Sequence, residues 1–203
     1  VIEEEKMQKA CEVAGKEPIF QILPYQKKKA GIVTTGSEVY YHRIEDKFTP
    51  VVIDKLKECG VTEVKQIQCN DDHEMITEAI QTLIEDGFDL IICTGGMSVD
   101  PDDRTPLAIK NACTEVVTYG APVLPGAMFM LAYCEKEGRQ IPVMGLPGCV
   151  MYAKRTIFDL VLPRIMCDEK LHEKDFRLLG QGGLCLSCPV CTFPNCGFGK
   201  GGY

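Results

Sequence analysis

Three short loops carry glycine, and each follows an apolar run that is typical of a buried strand. They are Thr34-Thr35-Gly36-Ser37-Glu38, Thr94-Gly95-Gly96-Met97-Ser98 and Leu146-Pro147-Gly148. Glycine lets a ligand approach the backbone closely and leaves amide groups free to bind an anion. Taken singly, each glycine can simply end its strand. In open α/β sheets, however, ligands bind outside the carboxyl ends of the strands, so we expect the three loops to form one ligand site.

Aspartates follow two of the predicted strands, beside these loops. Asp71 and Asp72 follow one strand, and Asp100, Asp102 and Asp103 follow the next. Carboxylates beside an anion site commonly hold a metal ion or act on protons, because they would otherwise repel the ligand. The alternative for Asp71 is a helix N-cap, since a glutamate follows it at capping-box spacing. The alternative for the other three is a solvated loop with a second helix cap.

Four cysteines crowd into the C-terminal region as Cys185-x2-Cys188-x2-Cys191-x4-Cys196. Four thiolates this close in sequence can wrap one metal centre. The two-residue gaps match the bacterial iron–sulfur run, although the last gap is four residues instead of three. Zinc sites more often split into two distant pairs, which favours an iron–sulfur cluster over Zn²⁺. The alternative is a thiol-rich tail that binds nothing, and without metal we expect the segment to be mobile or oxidised to disulfides.

The elements that must position these residues alternate between helix and strand. The sequence pattern predicts helices at 2–14, 49–59, 71–87, 105–113 and 150–166, strands at 30–36, 61–69, 88–96, 115–120 and 141–148, and a loop at 37–48. The strands are apolar throughout, which indicates a sheet covered on both faces. We therefore expect a three-layer α/β/α domain with a largely parallel sheet at 28–167. An N-terminal helix and linker would precede it at 1–27, and a polar linker with the cysteine tail would follow at 168–203.

Composition excludes several classes of function. The chain has 203 residues with 29 acidic and 22 basic side chains, a formal net charge of −7, which disfavours general nucleic-acid binding. No apolar run is long enough for a membrane span. No loop matches a Walker A or dinucleotide-binding pattern, which disfavours a nucleoside triphosphatase or Rossmann dehydrogenase. Eight scattered cysteines without a signal peptide predict a cytoplasmic protein with reduced thiols. The first residue, Val1, suggests a piece of a longer protein.

The motifs GIVTTGSEV, DLIICTGGMSVDPDDRTP, VLPGAMF and VMGLPGCV, in this order, resemble the molybdopterin-binding domain family. The family includes molybdopterin adenylyltransferases, molybdopterin molybdotransferases and gephyrin, and the Ser-Val after the two glycines is closest to the molybdotransferase branch. The resemblance covers about residues 18–167 and implies a three-layer fold with a mixed, largely parallel sheet. It also implies a pterin ligand with a dithiolene and a terminal phosphate.

The resemblance assigns roles to individual residues. Asp103 and Asp71 fall on family acidic positions, and they would hold Mg²⁺ or activate the transferring group. The positions that match ligand-binding loops are Gly36, Ser37, Glu38, Thr94, Gly95, Gly96, Ser98, Pro125, Gly126, Leu146, Pro147 and Gly148. We expect a homo-oligomer, a dimer or a trimer.

Two functions remain open from the sequence. The first is an enzyme of molybdenum cofactor biosynthesis that adenylylates molybdopterin or inserts molybdate into the adenylylated form. The second is a non-catalytic carrier or sensor of molybdopterin coupled to the cysteine tail. The chain lacks some family polar residues, since Cys149-Val150 follows the last loop instead of Asn-Pro and Ala127 replaces a lysine. Those departures favour the binder, whereas the retained aspartates favour the enzyme.

Overall fold

Six strands form one mixed sheet in the computed structural model of the chain, which describes residues 1–18, 20–98, 100 and 103–201. Asp102, one of the expected carboxylates, lies outside the described residues. In chain order the elements are α1 (Glu4–Ala14), β1 (Lys29–Thr35), α2 (Ser37–Tyr40), α3 (Phe48–Glu58), β2 (Glu63–Cys69), α4 (His73–Glu85), β3 (Leu90–Thr94), α5 (Thr105–Ala112), β4 (Glu115–Tyr119), β5 (Met130–Lys136), β6 (Arg139–Leu146), α6 (Cys149–Tyr152), α7 (Ile157–Met166) and α8 (Glu173–Leu178).

The strand order is β2-β1-β3-β6-β5-β4. The first four strands of that order run parallel, whereas β5 is antiparallel to both of its neighbours. Side chains of successive residues point to opposite faces of a sheet, and both faces are apolar here. Ile32 and Ile92 pack into one core cluster, and Val33 and Ile91 pack into the other. Helices α3 and α7 cover the first face, and α4 and α5 cover the second, so the predicted three-layer fold is confirmed.

Strand β5 is absent from the sequence prediction. It pairs with β6 in a hairpin whose turn residues, Glu137 and Gly138, both have positive φ, at 52° and 74°. That backbone conformation favours a glycine-containing turn, because its twist matches the twist of the two strands. The Glu-Gly dipeptide between two β-prone runs was the signal that could have revealed the hairpin.

The single helix predicted at 150–166 is wrong. The structure has two helices, α6 and α7, because Thr156 starts a new helix with its own capping box. The Thr156 hydroxyl accepts from the Phe158 amide at 3.2 Å, and the Asp159 carboxylate accepts from the Thr156 amide at 2.8 Å. Pro163 lies inside α7 and does not end it.

The polar linker expected after residue 167 is in fact partly buried. Leu171 and Phe176 are almost fully buried in the core cluster that α7 also joins, and α8 spans Glu173–Leu178. Phe198, in the segment expected to be mobile or oxidised without metal, is only 3% exposed in the same cluster. Through these three side chains, the described part of the chain after residue 167 packs on the domain.

Two further predictions need correction. The loop expected at 37–48 contains the short helix α2. The scattered cysteines are not all reduced, because Cys113 and Cys134 form a disulfide. The end of α5 lies beside β5, because the Thr114 amide donates to the Tyr133 carbonyl at 3.0 Å. The Cα atoms of Cys113 and Cys134 are consequently 4.2 Å apart. No helix within the described residues is long and apolar enough to cross a membrane.

Candidate functional site

The three glycine-bearing loops leave the same edge of the sheet. Thr34 pairs with Thr94, and Thr94 pairs with Leu146, in the parallel register of β1, β3 and β6. Because parallel strands end at one edge, the loops that follow these residues lie side by side there. This is the arrangement that we expect from the sequence.

The loop after β3 is held by its own packing. Gly95 and Gly96 have positive φ, at 88° and 56°, and a Cβ on Gly95 would lie 2.3 Å from the Thr35 carbonyl oxygen. The Thr35 hydroxyl in turn donates to the Thr94 carbonyl at 3.2 Å. Gly95 is therefore required by the close approach of two loops. A Cβ on Gly96 would lie 2.8 Å from the Thr105 hydroxyl oxygen, so a substitution there would strain the fold before it tested a ligand.

Asp103 closes this loop from the other side. Its Oδ2 accepts from both the amide and the hydroxyl of Ser98, each at 2.6 Å. The Tyr119 hydroxyl also donates to the Ser98 carbonyl at 3.3 Å. Asp103 therefore fixes the position of Ser98, which is a positioning role that the sequence did not suggest.

Asp71 and Asp72 divide their roles differently from the sequence expectation. The N-cap of α4 is Asp72, whose Oδ1 accepts from the amides of Glu74 and Met75 at 2.8 and 3.1 Å. Asp71 instead accepts from the amide of Ser37 at 2.8 Å, which ties the loop after β2 to the loop after β1. The alternative of a helix cap at Asp71 is therefore wrong by one residue. Asp71 instead lies at the sheet edge that carries the glycine loops.

A cavity of about 560 Å³ lies beside the Ser98 end of this loop, and we call it the Pro-Gly cavity. Its lining combines the loop after β3, the turn before β5, the turn after β6 and the start of the cysteine tail. The lining residues are Met97, Ser98, Leu124, Pro125, Gly126, Ala127, Met128, Pro147, Gly148, Cys149, Leu184 and Cys185. None of these is charged, and burial raises the pKa of the Cys149 thiol, which keeps it protonated at neutral pH.

The Pro125-Gly126 turn is positioned by α7. Its Pro125 carbonyl accepts from the Ile157 amide at 3.1 Å, and a Cβ on Gly126 would lie 2.4 Å from Ile157 Cγ2. Gly148 is different, because its φ of −55° suits any residue and no atom lies within 4 Å of a Cβ built there. A side chain at Gly148 would enter open space without straining the fold.

A second cavity, also of about 560 Å³, lies beside the start of the loop after β3, and we call it the Asp46 cavity. Thr94 and Gly95 line it together with Thr34 and Asp46. The Thr94 hydroxyl is buried and has no hydrogen-bond partner among the described residues. The two cavities therefore flank the same glycine loop.

Asp46 lines this second cavity, and the sequence analysis did not select it as a site residue. Burial alone would raise its pKa, but hydrogen bonds from Thr49, Gln66 and the Phe48 amide outweigh burial and lower the pKa. Its carboxylate accepts from the Phe48 and Thr49 amides at 2.9 and 3.0 Å in the first turn of α3, whereas Lys47 at the N-cap position makes no side-chain cap bond. An Asp three residues before the predicted helix start was the available signal.

The remaining predicted residues take other places. Leu146 has no exposed surface and belongs to the core. Gly36, Ser37, Glu38 and Gly96 lie in the two glycine loops but do not line either cavity.

Metal ligation receives no direct support. The described part of the chain contains no group of three or more His, Cys, Asp or Glu side chains arranged to hold a metal ion. The expected Mg²⁺ on Asp71 and Asp103 is therefore unsupported. Cys185, Cys188, Cys191 and Cys196 all line a third, smaller cavity of about 110 Å³.

The chain is similar to curated proteins over less than half of its length. A CinA-like protein of Mycobacterium sp. (strain MCS) is 35% identical over 85 residues, which cover 42% of this chain and 20% of that protein. A CinA-like protein of Mycobacterium avium (strain 104) is 34% identical over 95 residues, 47% of this chain and 22% of that protein. The chain thus spans about a fifth of the length of these curated relatives.

Solved structures show the same fold at low identity. The tungsten cofactor synthesizing protein MoaB from Pyrococcus furiosus has a TM-score of 0.57 and 18% identity, covering 71% of this chain and 99% of that one. The molybdopterin biosynthesis enzyme MoaB from Thermus thermophilus has a TM-score of 0.57 and 20% identity, covering 68% and 91%. CinA from Thermoplasma acidophilum has a TM-score of 0.52 and 16% identity, covering 71% and 99%.

A family model matches the sequence of this chain directly. Residues 31–166 match the family model described as "Probable molybdopterin binding domain", which agrees with the resemblance carried by the glycine loops. Kinship to the molybdotransferase branch stays a prediction. Over these residues, the chain belongs to the molybdopterin-binding domain family.

Proposed function

We propose that the chain binds molybdopterin at the carboxyl edge of the sheet and acts in the biosynthesis or handling of the molybdenum cofactor. The observation that carries the proposal is the Pro-Gly cavity. It is assembled from three chain segments that the family motifs select, through Ser98, Pro125-Gly126 and Pro147-Gly148. Ligand pockets of this volume that are mostly apolar, with a few placed polar groups, suit a small organic ligand.

The character of the cavity supports a pterin ring as its occupant. Its described lining is uncharged, and Ser98 supplies a hydroxyl whose direction Asp103 sets. A flat heterocycle would bury its faces against Met97, Pro125 and Pro147. We further propose that residues 28–167 form the ligand-binding unit and that the cysteine tail completes one wall of the cavity through Leu184 and Cys185.

The contacts of the two candidate catalytic aspartates favour binding over catalysis. Asp71 and Asp103 both hold loop amides, at Ser37 and Ser98. Each aspartate therefore holds a loop of the site in place in this structure. We propose a non-catalytic binding module as the first function.

One observation favours a transferase as the second candidate. The Asp46 cavity adjoins the same glycine loop and offers room for a second reactant, a nucleotide or an oxyanion such as molybdate. In that case the aspartates would act with Mg²⁺ supplied by the reaction mixture. This activity would be adenylyl transfer to molybdopterin or molybdate insertion.

The binding proposal is tested by filling the cavity. Gly148→Leu places a side chain into open space, so we expect an unchanged melting temperature and a loss of affinity for molybdopterin of about tenfold or more, equal to about 1.4 kcal/mol. Pterin fluorescence measured anaerobically reports the affinity. The control is Glu85→Leu, which adds the same side chain at an exposed position of α4. Equal affinities in the two variants would contradict the proposal.

A separate assay distinguishes binder from enzyme. The wild-type protein is incubated with molybdopterin, ATP and Mg²⁺, and pyrophosphate is measured. A binding module releases none, whereas adenylyl transfer releases one pyrophosphate for each molybdopterin converted. Molybdate insertion is followed by the molybdenum content of the pterin product after incubation of adenylylated molybdopterin with molybdate.

A further inference from the structure

The cysteine segment is a loop whose two ends are both attached to the domain. At its start, the Cys185 amide donates to the Leu124 carbonyl at 2.8 Å, and the Leu124 amide donates to the Gly183 carbonyl at 2.8 Å. At its end, the Gly199 amide donates to the Gly182 carbonyl, and Phe198 is buried in the core. The loop is therefore closed and oriented by the protein before anything binds to it.

All four cysteines of this loop line one small cavity. Cys185, Cys188, Cys191 and Cys196 all line the cavity of about 110 Å³, whose other walls include Phe193 and Phe198. Cys188 is exposed and the other three are half-buried, and none of the four is in a disulfide. Thiolates are the preferred ligands of Zn²⁺ and of iron–sulfur clusters, so this donor set suits a soft metal centre.

Arg155 is the cation at this cavity. Its side chain lines the cavity, and its guanidinium lies 5.0 Å from the centre of the Phe193 ring. Its Nε is buried and has no hydrogen-bond partner among the described residues, although its Nη1 is bonded to Glu58 and Asp159. An unpartnered buried N–H costs free energy, and a metal-bound thiolate is an acceptor that would satisfy it.

We propose that Cys185, Cys188, Cys191 and Cys196 bind one metal centre, with Arg155 donating from Nε to a bound thiolate. The spacing favours an iron–sulfur cluster over a single Zn²⁺. The four side chains do not yet form a coordination group within the described residues, so the thiols must draw together when the metal binds. Between its two attached ends the loop has no regular helix or strand that would resist this movement.

The centre would adjoin the proposed ligand site. Leu184 and Cys185 line both the cysteine cavity and the Pro-Gly cavity. Drawing Cys185 onto a metal therefore moves a wall of the Pro-Gly cavity, and loading of the metal alters affinity there. The metal site itself does not rest on the proposed function, because its ligands and its cavity are independent of what binds beside it.

Metal content is the direct test. The protein is purified without oxygen and under reducing conditions, and iron, acid-labile sulfide and zinc are measured together with visible absorption. Apoprotein is also loaded with ferrous iron and sulfide, or with Zn²⁺ alone. We expect about one centre per chain, and we expect Cys188→Ser and Cys191→Ser to lower it several-fold. The control is Cys11→Ser, the same substitution at an exposed cysteine of α1, which should bind as the wild type does.

The outcomes are distinct. Iron with sulfide and thiolate-to-iron absorption supports the proposal and identifies a cluster, and colourless stoichiometric zinc supports the four-thiolate site and identifies the ion. Metal binding that is equal in wild type, Cys188→Ser and Cys191→Ser would overturn the site, as would no metal in either loading. Failure of molybdopterin to bind would leave these metal measurements unaffected, so the two proposals fail separately.

Discussion

Asp159 belongs both to a buried network of ion pairs and to the capping box at the start of α7. Its carboxylate is 3% exposed and accepts from Lys55 Nζ at 2.6 Å and from Arg155 Nη1 at 2.8 Å. It also completes the capping box with Thr156. Replacement by alanine removes the acceptor of the Thr156 amide and the buried counter-charge of Lys55. Lys55 Nζ then keeps the Lys154 carbonyl, and Arg155 Nη1 keeps Glu58.

The size of the effect follows from that burial. Removing one partner of a buried ion pair costs about 3–5 kcal/mol. For a domain of this size each kcal/mol lowers the melting temperature by about 2–4 °C, so Asp159→Ala should lower it by about 6–20 °C. Because the Ile157 amide at the start of α7 bonds the Pro125 carbonyl, affinity for molybdopterin should fall as well.

Glu58 supplies a matched control. It accepts from the same Arg155 Nη1 at 3.1 Å, but its side chain is 59% exposed. Exposed pairs contribute about 0–1 kcal/mol, so Glu58→Ala should change the melting temperature by no more than a few degrees. Thermal unfolding followed by circular dichroism measures both variants. Equal shifts for Asp159→Ala and Glu58→Ala would refute the reasoning.

Three further changes test the loops at the site edge. Asp72→Ala should lower the melting temperature at neutral pH, because two amides of α4 lose their acceptor. Those hydrogen bonds lower the pKa of Asp72. The stabilisation by Asp72 is therefore present above the unfolded-state pKa of about 3.9, and it is lost as pH falls through the lower folded-state pKa. A difference in melting temperature between Asp72→Ala and wild type that persists below that range would contradict this. Asp103→Ala should reduce affinity for molybdopterin more than Asp103→Asn, because asparagine can still accept from Ser98; equal affinities would contradict the positioning role. Gly145→Ala would place a Cβ 2.5 Å from Met97 Cε, so the Met97 side chain must shift, and we expect weaker binding of molybdopterin. An affinity equal to that of the wild type in a fluorescence titration would show that the side chain shifts without disturbing Ser98.

The order of strands, helices and glycine loops is predictable from the sequence because its signals are local. Continuous apolar runs mark β1, β3 and β6, and glycine marks where each of them ends. The parallel arrangement of β1, β2 and β3 then follows, because α3 and α4 separate these strands, whereas β6 is reached through the hairpin with β5. Strand β5 was missed because its main signal was one Glu-Gly turn.

Local cues failed where two neighbouring residues offered the same chemistry. Asp71 and Asp72 both fit an N-cap, and only the path of the chain into α4 decides that Asp72 caps while Asp71 reaches Ser37. A different kind of error concerns Thr156 and Asp159, whose capping-box spacing is visible in the sequence. The apolar pattern of 150–166 hid the break between α6 and α7.

The sequence by itself determined the fold class, the three loops and the four clustered cysteines, because each depends on residues adjacent in the chain. Only the tertiary structure decided that Ser98, the Pro125-Gly126 turn and Gly148 share one cavity, and that Leu184 and Cys185 close it. It also decided that Phe176 and Phe198 anchor the C-terminal segment in the core. The physical reason is that burial and cavity shape arise from contacts between residues far apart in the chain, which spacing and local propensity do not encode.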